Sequence, residues 1–254
     1  MGISHTIDDR GIAEVVMDNP PVNALDVAGW FELADTIRSL GDDPSVRVVI
    51  LAAEGRGFNA GVDIKEMQAT EGFDALIGAN RGCFAAFASV YDCKVPVIAA
   101  VHGYCLGGGI GLVGNADVII ASDDATFGLP EVDRGALGAA THLSRLVPQH
   151  KMRAMVYTSA TATADELHAF GSVLQVVPSD DLRAAALQVA RAIAAKSPAV
   201  IRAAKESLNG IDPWDVKRSY RYEQGFTFEL NLSGVADEHR DAFVAKRART
   251  PRSE

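Results

Sequence analysis

The residue types able to do chemistry gather in three short stretches. Two are glycine-rich: Glu54-Gly-Arg-Gly-Phe-Asn-Ala-Gly-Val-Asp-Ile-Lys65 and His102-Gly-Tyr-Cys-Leu-Gly-Gly-Gly-Ile-Gly111. Glycine lets a ligand lie against backbone N–H groups, and a helix beginning in such a loop adds a field that favours negative charge. Two loops of this kind can aim two donors at one oxygen, which is an oxyanion hole. Taken singly, either loop is explained equally well by tight turn geometry. The third stretch is Phe127-Gly-Leu-Pro-Glu131-Val-Asp-Arg-Gly135. Glu131 follows a proline in a fixed turn, a placement suited to proton transfer, although a carboxylate after proline is more often a helix cap. His142 reads first as a core histidine, with substrate hydrogen bonding or general-base work as alternatives.

Other chemistries are excluded or unsupported. Gly109-Ile-Gly-Leu-Val-Gly114 matches the dinucleotide fingerprint, but His102 to Gly108 separate it from the preceding strand. The next strand begins near Asp117, which leaves no room for a crossover of roughly ten or more residues, so an NAD site is rejected. Metal-ligand spacings such as H-E-x-x-H, C-x-x-C or an EF-hand are absent from the sequence, and no metal is expected. A permanently bound cofactor is not expected either.

The 254-residue chain has 33 acidic and 24 basic side chains, a formal charge of −9. That balance argues against nucleic acid or an anionic membrane surface as a partner, since both need a cationic face. With 48% apolar residues the chain can bury a large core. Residues Met1 to Arg10 include Asp8 and Asp9 and hold no apolar signal core, and no stretch is long enough to span a bilayer. Cys83, Cys93 and Cys105 are odd in number and share no metal spacing, as expected of reduced thiols in a cytoplasm.

Elements that would position these stretches follow from periodicity. Gly11 to Met17 predicts a strand, and Asp26 caps a helix that buries Val27, Trp30, Ala34 and Ile37. Val46 to Ala52 is an almost uninterrupted apolar run, suited to a strand covered on both faces. Residues 73–94 predict a long helix. Val97 to Val101, Val118 to Ala121 and Val173 to Val177 predict further strands. Beyond Asp180 the pattern is helical, with Pro198 and Pro213 marking helix starts. The expectation is an α/β core of stacked ββα units over residues 1–180, followed by a helical region over 181–254.

Taken together, these segments resemble the crotonase, or enoyl-CoA hydratase/isomerase, superfamily. The likeness rests on Pro21-Val-Asn-Ala-Leu25, Asn59-Ala-Gly-Val-Asp-Ile-Lys-Glu-Met67, Pro96 to Gly109, Phe127-Gly-Leu-Pro-Glu131 and Asp241-Ala-Phe-Val-Ala-Lys-Arg247, in family order and spacing. It implies a ClpP/crotonase-like spiral fold, an acyl-CoA ligand whose CoA is the carrier moiety of the substrate, and homotrimers, often paired into hexamers. It also implies that the Ala60 and Gly108 amides form the oxyanion hole. Val22, Ala24 and the Ala60–Lys65 segment (Asp63, Ile64 and Lys65 included) would line the CoA channel, while Phe243 and Lys246 would reach the adenosine end of CoA on a neighbouring subunit.

One departure is informative. Hydratases of this superfamily carry two catalytic glutamates; Glu131 matches the second, and the first position falls at Gly111. Gly111 argues against ordinary hydration of a 2-enoyl thioester; the alternatives are an enoyl-CoA isomerase or hydratase of fatty-acid type metabolism, of which the one-glutamate isomerase fits Gly111 better, and a non-catalytic CoA-binding protein. Asn80 to Phe87, Gly107 to Gly114, Gly135 to Arg145 and Glu223 to Asn231 resemble more narrowly the actinobacterial ring-opening hydrolases of steroid catabolism, which act on a bicyclic CoA thioester left from steroid rings C and D. That likeness implies hydrolytic C–C cleavage of retro-Claisen type, with Glu131 activating water, Asp133 or His142 assisting, and Gly111 leaving space for a fused ring.

Overall fold

The computed structural model describes residues 2–245. β1 (Gly2–Ile7) and β2 (Ile12–Asp18) form an antiparallel pair, and α1 (Val27–Asp42) follows. The Asp26 side chain accepts from the Gly29 amide at 2.7 Å and caps α1 as expected. β3 (Val48–Ala53) leads through the first glycine loop to α2 (Ile64–Ala69) and α3 (Asp74–Asp92). The chain continues as β4 (Val97–Val101), β5 (Tyr104–Leu106) and α4 (Gly108–Val113). Next come β6 (Val118–Ser122), β7 (Thr126–Gly128), a 3₁₀ turn (Pro130–Arg134), α5 (Ala140–Leu143) and α6 (Gln149–Thr158). β8 (Thr161–Thr163), α7 (Ala164–Ala169) and β9 (Gln175–Val177) precede four helices, α8 (Leu182–Ala194), α9 (Pro198–Ile211), α10 (Val216–Leu232) and α11 (Val235–Val244).

A six-stranded sheet runs in the order β1-β2-β3-β4-β6-β9 and is parallel from β2 onward; β5, β7 and β8 form a second, smaller sheet. The chain winds as a spiral in which a large-sheet strand is followed by a small-sheet strand and then a helix. β4-β5-α4 is one such turn. β6-β7 with the 3₁₀ turn is the next. In the turn before them Asn59 bridges to Cys105 of β5. The six-residue α4 confirms that no crossover helix follows the glycine fingerprint.

Both faces of the large sheet are covered. Val48, Ile50, Ile98, Ala100 and Ile120 pack against Leu182, Ala186, Ala190 and Ala194 of α8. Their neighbours Val49, Leu51, Val97, Ala99 and Ile119 join a larger cluster with Trp30 and Ile37 of α1 and Cys83 and Phe87 of α3. Alternate residues thus bury on opposite faces, which accounts for the unbroken apolar runs. The chain passes through a 3₁₀ turn at Ser179–Asp181, and α8 directly beyond it covers one sheet face. Lys205 of α9 is buried and donates to both carboxylate oxygens of Asp117 at 2.7 and 2.8 Å, while Asp117 Oδ2 also accepts from the Val97 amide.

The sequence periodicity does not reveal β1, β5, β7 or β8. The last three are only three residues long, too short for any alternation to register. α10 starts at Val216 under an Asp215 cap rather than at Pro213. Among the described residues no helix is long and apolar enough to cross a membrane.

Candidate active site

The first glycine loop is held by Asn59. Its buried side chain donates to the Asn23 carbonyl and accepts from the Gly61 amide at 2.8 Å, while its own carbonyl accepts from the Leu106 amide at 2.8 Å. Gly61, at φ +90°, is drawn so close to the second loop that a Cβ there would lie 3.2 Å from the Gly108 nitrogen. Ala60 and Gly108 therefore face one pocket, and among the described residues neither amide donates to an acceptor of the chain. The Gly107 amide is by contrast spent on the Gly128 carbonyl at 3.1 Å. Two amides without an acceptor that face one pocket can together receive a single ligand oxygen, as an oxyanion hole does.

Glu131 enters this pocket from the 3₁₀ turn that Pro130 starts. Its Oε1 lies over Gly107, 2.6 Å from where a Cβ would be, and its Oε2 is enclosed with no hydrogen-bond partner. Burial raises the carboxyl pKa from the usual 4.5 to about 7; the Arg134 guanidinium opposes that shift and the Glu223 carboxylate adds to it. A carboxyl poised near neutrality beside two such amides suits a general base. The cavity, of about 120 Å³, is otherwise walled mainly by apolar groups, among them Phe87, Leu76, Leu137, Ala139 and Tyr220.

The turn thus brings Glu131 together with the Ala60 and Gly108 amides. Asp133 and His142 do not join them. Asp133 is exposed on the same turn and does not line the pocket. His142 is buried behind Phe87, ring centroids 5.2 Å apart, with neither ring nitrogen hydrogen-bonded. Burial, aided by Arg145, holds its pKa down to about 3, so the ring is a neutral packing element rather than part of the pocket wall. Val22 and Ala24 run beside the first loop because Leu25 pairs with Val62 and exchanges hydrogen bonds with Gly61 and Asp63 at 3.0 and 2.9 Å. Asp63 caps α2 by accepting from the Lys65 amide, Ile64 lines the pocket, and Lys65 is exposed. The Phe243 side chain and Lys246 lie outside the described residues.

The reading of Gly111 as space for a fused ring is corrected. A Cβ at Gly111 would meet the Phe87 ring at 2.2 Å, so an aromatic side chain already fills that space. Phe87 is itself packed against Trp30, His142 and Tyr220, with centroids 5.1–5.7 Å away, and could yield only toward the acyl pocket it lines. Gly111→Ala is expected to destabilise the fold by roughly 1–3 kcal/mol through overpacking, read as a lower Tm in thermal denaturation. Placing a glutamate there to restore the hydratase pair is expected to fail for the same reason.

Glu223 escapes the sequence reading as a site residue, whereas Tyr220 is one of the tail aromatics (with Tyr222, Phe226 and Phe228) that the sequence leaves open between acyl pocket and core. Tyr220 of α10 lines the pocket together with Cys83, whose thiol pKa burial drives upward. Glu223, one turn on, accepts from the Ala140 and Thr141 amides at 2.8 and 2.6 Å and from the Thr141 hydroxyl. It caps α5 from outside, where Ala139 sits at φ +59°, a left-handed conformation costing a non-glycine residue on the order of 1–3 kcal/mol. No local signal marks Glu223, because its partners are distant in sequence and meet it only in the fold. Of the other tail aromatics, Tyr222 is exposed and Phe226 lines a neighbouring groove.

A family profile described as "Enoyl-CoA hydratase/isomerase" matches residues 8–248. A Rhodococcus jostii protein named (7aS)-7a-methyl-1,5-dioxo-2,3,5,6,7,7a-hexahydro-1H-indene-carboxyl-CoA hydrolase is 68% identical over 244 residues, covering 96% of this chain and 95% of that protein. A Mycobacterium tuberculosis protein of the same name is 68% identical over 246 residues, 97% of this chain and 100% of that one. The crystal structure of an enoyl-CoA hydratase/isomerase from Pseudoalteromonas atlantica superposes with a TM-score of 0.86 at 25% identity, covering 98% and 99% of the two chains.

Proposed function

The chain belongs to the enoyl-CoA hydratase/isomerase family, the crotonase fold, and from that premise we propose that it is a hydrolase that opens the cyclopentanone ring of a bicyclic, steroid-derived CoA thioester. The two relatives at 68% identity are named as hydrolases of a bicyclic methyl-dioxo-hexahydroindene carboxyl-CoA. The site observation that carries the reading is a single buried carboxylate, Glu131, over the loop that presents the Gly108 amide, with glycine at the position of a second hydratase carboxylate.

In this mechanism Glu131 takes a proton from water as the oxygen adds to the ring ketone. The adjacent ring C–C bond then breaks, its electron pair passing to a carbon conjugated with the thioester. Charge reaches the thioester oxygen, where the Ala60 and Gly108 amides bind it more tightly than they bind the uncharged carbonyl, which lowers the barrier. Protonated Glu131 returns its proton to the carbanion, and the new carboxylic acid ionises. CoA stays attached throughout as the carrier of the acyl group, held along Val22, Ala24 and the Ala60–Lys65 segment. No resident cofactor is required. Trimers or hexamers in the cytoplasm, completed by Phe243 and Lys246 across a subunit boundary, are part of the proposal and rest on the family resemblance.

The test is mass spectrometry of the purified enzyme with the bicyclic CoA thioester in H₂¹⁸O. The expected product is one water heavier, carries the label in a new carboxylate and keeps its CoA. Release of free CoA, or turnover of a linear 3-enoyl-CoA with no action on the bicyclic compound, would overturn the reading in favour of a thioesterase or a one-glutamate isomerase.

A further inference from the structure

The acyl pocket has one wall that the glycine loops do not build. Residues Gly135 to Ala139 pass over it, and the conformation there is unusual: Gly138 has φ +151° and Ala139 φ +59°. An isolated peptide would relax out of such a shape. Here one helix holds it at its middle and just beyond its far end. The Thr227 hydroxyl accepts from the Leu137 amide at 3.1 Å and donates to the Leu137 carbonyl at 2.5 Å. Glu223, one turn back on α10, takes the Ala140 and Thr141 amides. Gln224 ties the same helix to α3 by donating to the Asn80 carbonyl at 2.8 Å, and Asn80 also lines the pocket. Tyr220 and Thr227 themselves reach the pocket wall.

These residues recur at helical spacing and make one stripe. We propose that the α10 stripe Tyr220, Glu223, Gln224 and Thr227 is the acyl-specificity element, clamping the Gly135–Ala139 loop into a rigid wall that favours a rigid fused-ring acyl group over a flexible linear one. The proposal rests on the bicyclic-thioester reading. The physical reason is preorganisation. A pocket whose shape is locked in advance rewards a ligand with no rotors to freeze, whereas a linear chain must give up its freedom to match that wall. Glu223 acts through the loop, and Thr227 both holds the loop and borders the pocket; both are positioning residues, and neither is assigned a proton transfer.

The experiment compares dissociation constants for the bicyclic CoA thioester, crotonyl-CoA and free CoA by calorimetry in the Glu131→Gln background, which leaves the thioesters intact. Crotonyl-CoA supplies the short linear acyl chain. The unaltered stripe is expected to prefer the bicyclic thioester. Thr227→Val, which keeps the side-chain shape and removes both hydrogen bonds, is expected to shrink that preference by about tenfold. Glu223→Gln should act in the same direction, Thr227→Ser should restore the preference, and affinity for free CoA should stay constant in all of them. An unchanged preference in both Thr227→Val and Glu223→Gln would overturn the proposal, as would an equal loss of affinity for free CoA or no preference at the outset. If the enzyme binds the bicyclic thioester preferentially yet does not hydrolyse it, the functional reading falls while the stripe is still judged on the ratio.

Discussion

Glu131→Gln is expected to lower kcat for ring opening by about 10²–10⁴-fold, with little change in KM, because the amide keeps the size of the side chain and loses the base. Stopped-time mass spectrometry of the ring-opened CoA product measures it; a variant that retains more than a tenth of the activity would assign the base elsewhere. The same carboxyl sets the pH profile. With its pKa raised to about 7 it must be ionised to accept a proton, so kcat/KM should fall about tenfold per pH unit below 7 and level off above it. Stability runs the opposite way. Below the ordinary carboxylate value of 4.5 the group is protonated folded or unfolded and costs nothing; between 4.5 and 7 only the unfolded chain releases the proton freely, so folding is progressively penalised as pH rises. Glu131→Gln should therefore be more stable than the wild type at pH 8, on the order of 1–3 kcal/mol, with the gap closing by pH 4. Chemical denaturation at the two pH values reads it.

Gly107→Ala is expected to remove activity nearly as completely, by about 10²–10³-fold in kcat/KM. Gly107 has φ +58° and ψ −116°, a backbone state that L side chains avoid, and its missing Cβ is the space in which Glu131 Oε1 rests. A methyl group there pushes on the base and at the same time turns the peptide that presents the Gly108 amide, so both halves of the chemistry move together. Kinetics with the bicyclic thioester, alongside circular dichroism to confirm the fold, tests this. Activity within tenfold of the wild type would mean that Glu131 does not work from above this loop.

Much of this was written locally in the chain. Alternating burial across β3, β4 and β6 follows from residues that are apolar on both faces, and the Asp26 cap, the long α3 and the helical tail all follow from side-chain periodicity within one element. The two glycine loops and the Pro130–Glu131 turn could be picked out for the same reason: their chemistry lies in residue type and in the backbone freedom of adjacent positions. The convergence of the Ala60 and Gly108 amides under Glu131 needed the spiral, since residues 60, 108 and 131 meet only because successive turns stack. Gly111 illustrates the other side. From the sequence its missing side chain reads as room for substrate, yet the room belongs to Phe87, a residue of α3 brought against α4 by core packing. His142 likewise has the chemistry of a base but lies behind that ring, where burial keeps it neutral. Glu223 and Thr227 became site residues only when α10 folded back over the Gly135–Ala139 loop. A sequence specifies what each residue can do and the local shape around it, because those depend on neighbours along the chain. Which side chain fills a given space, and which carboxyl loses its water, depends on neighbours across the fold, and the tertiary structure alone decides that.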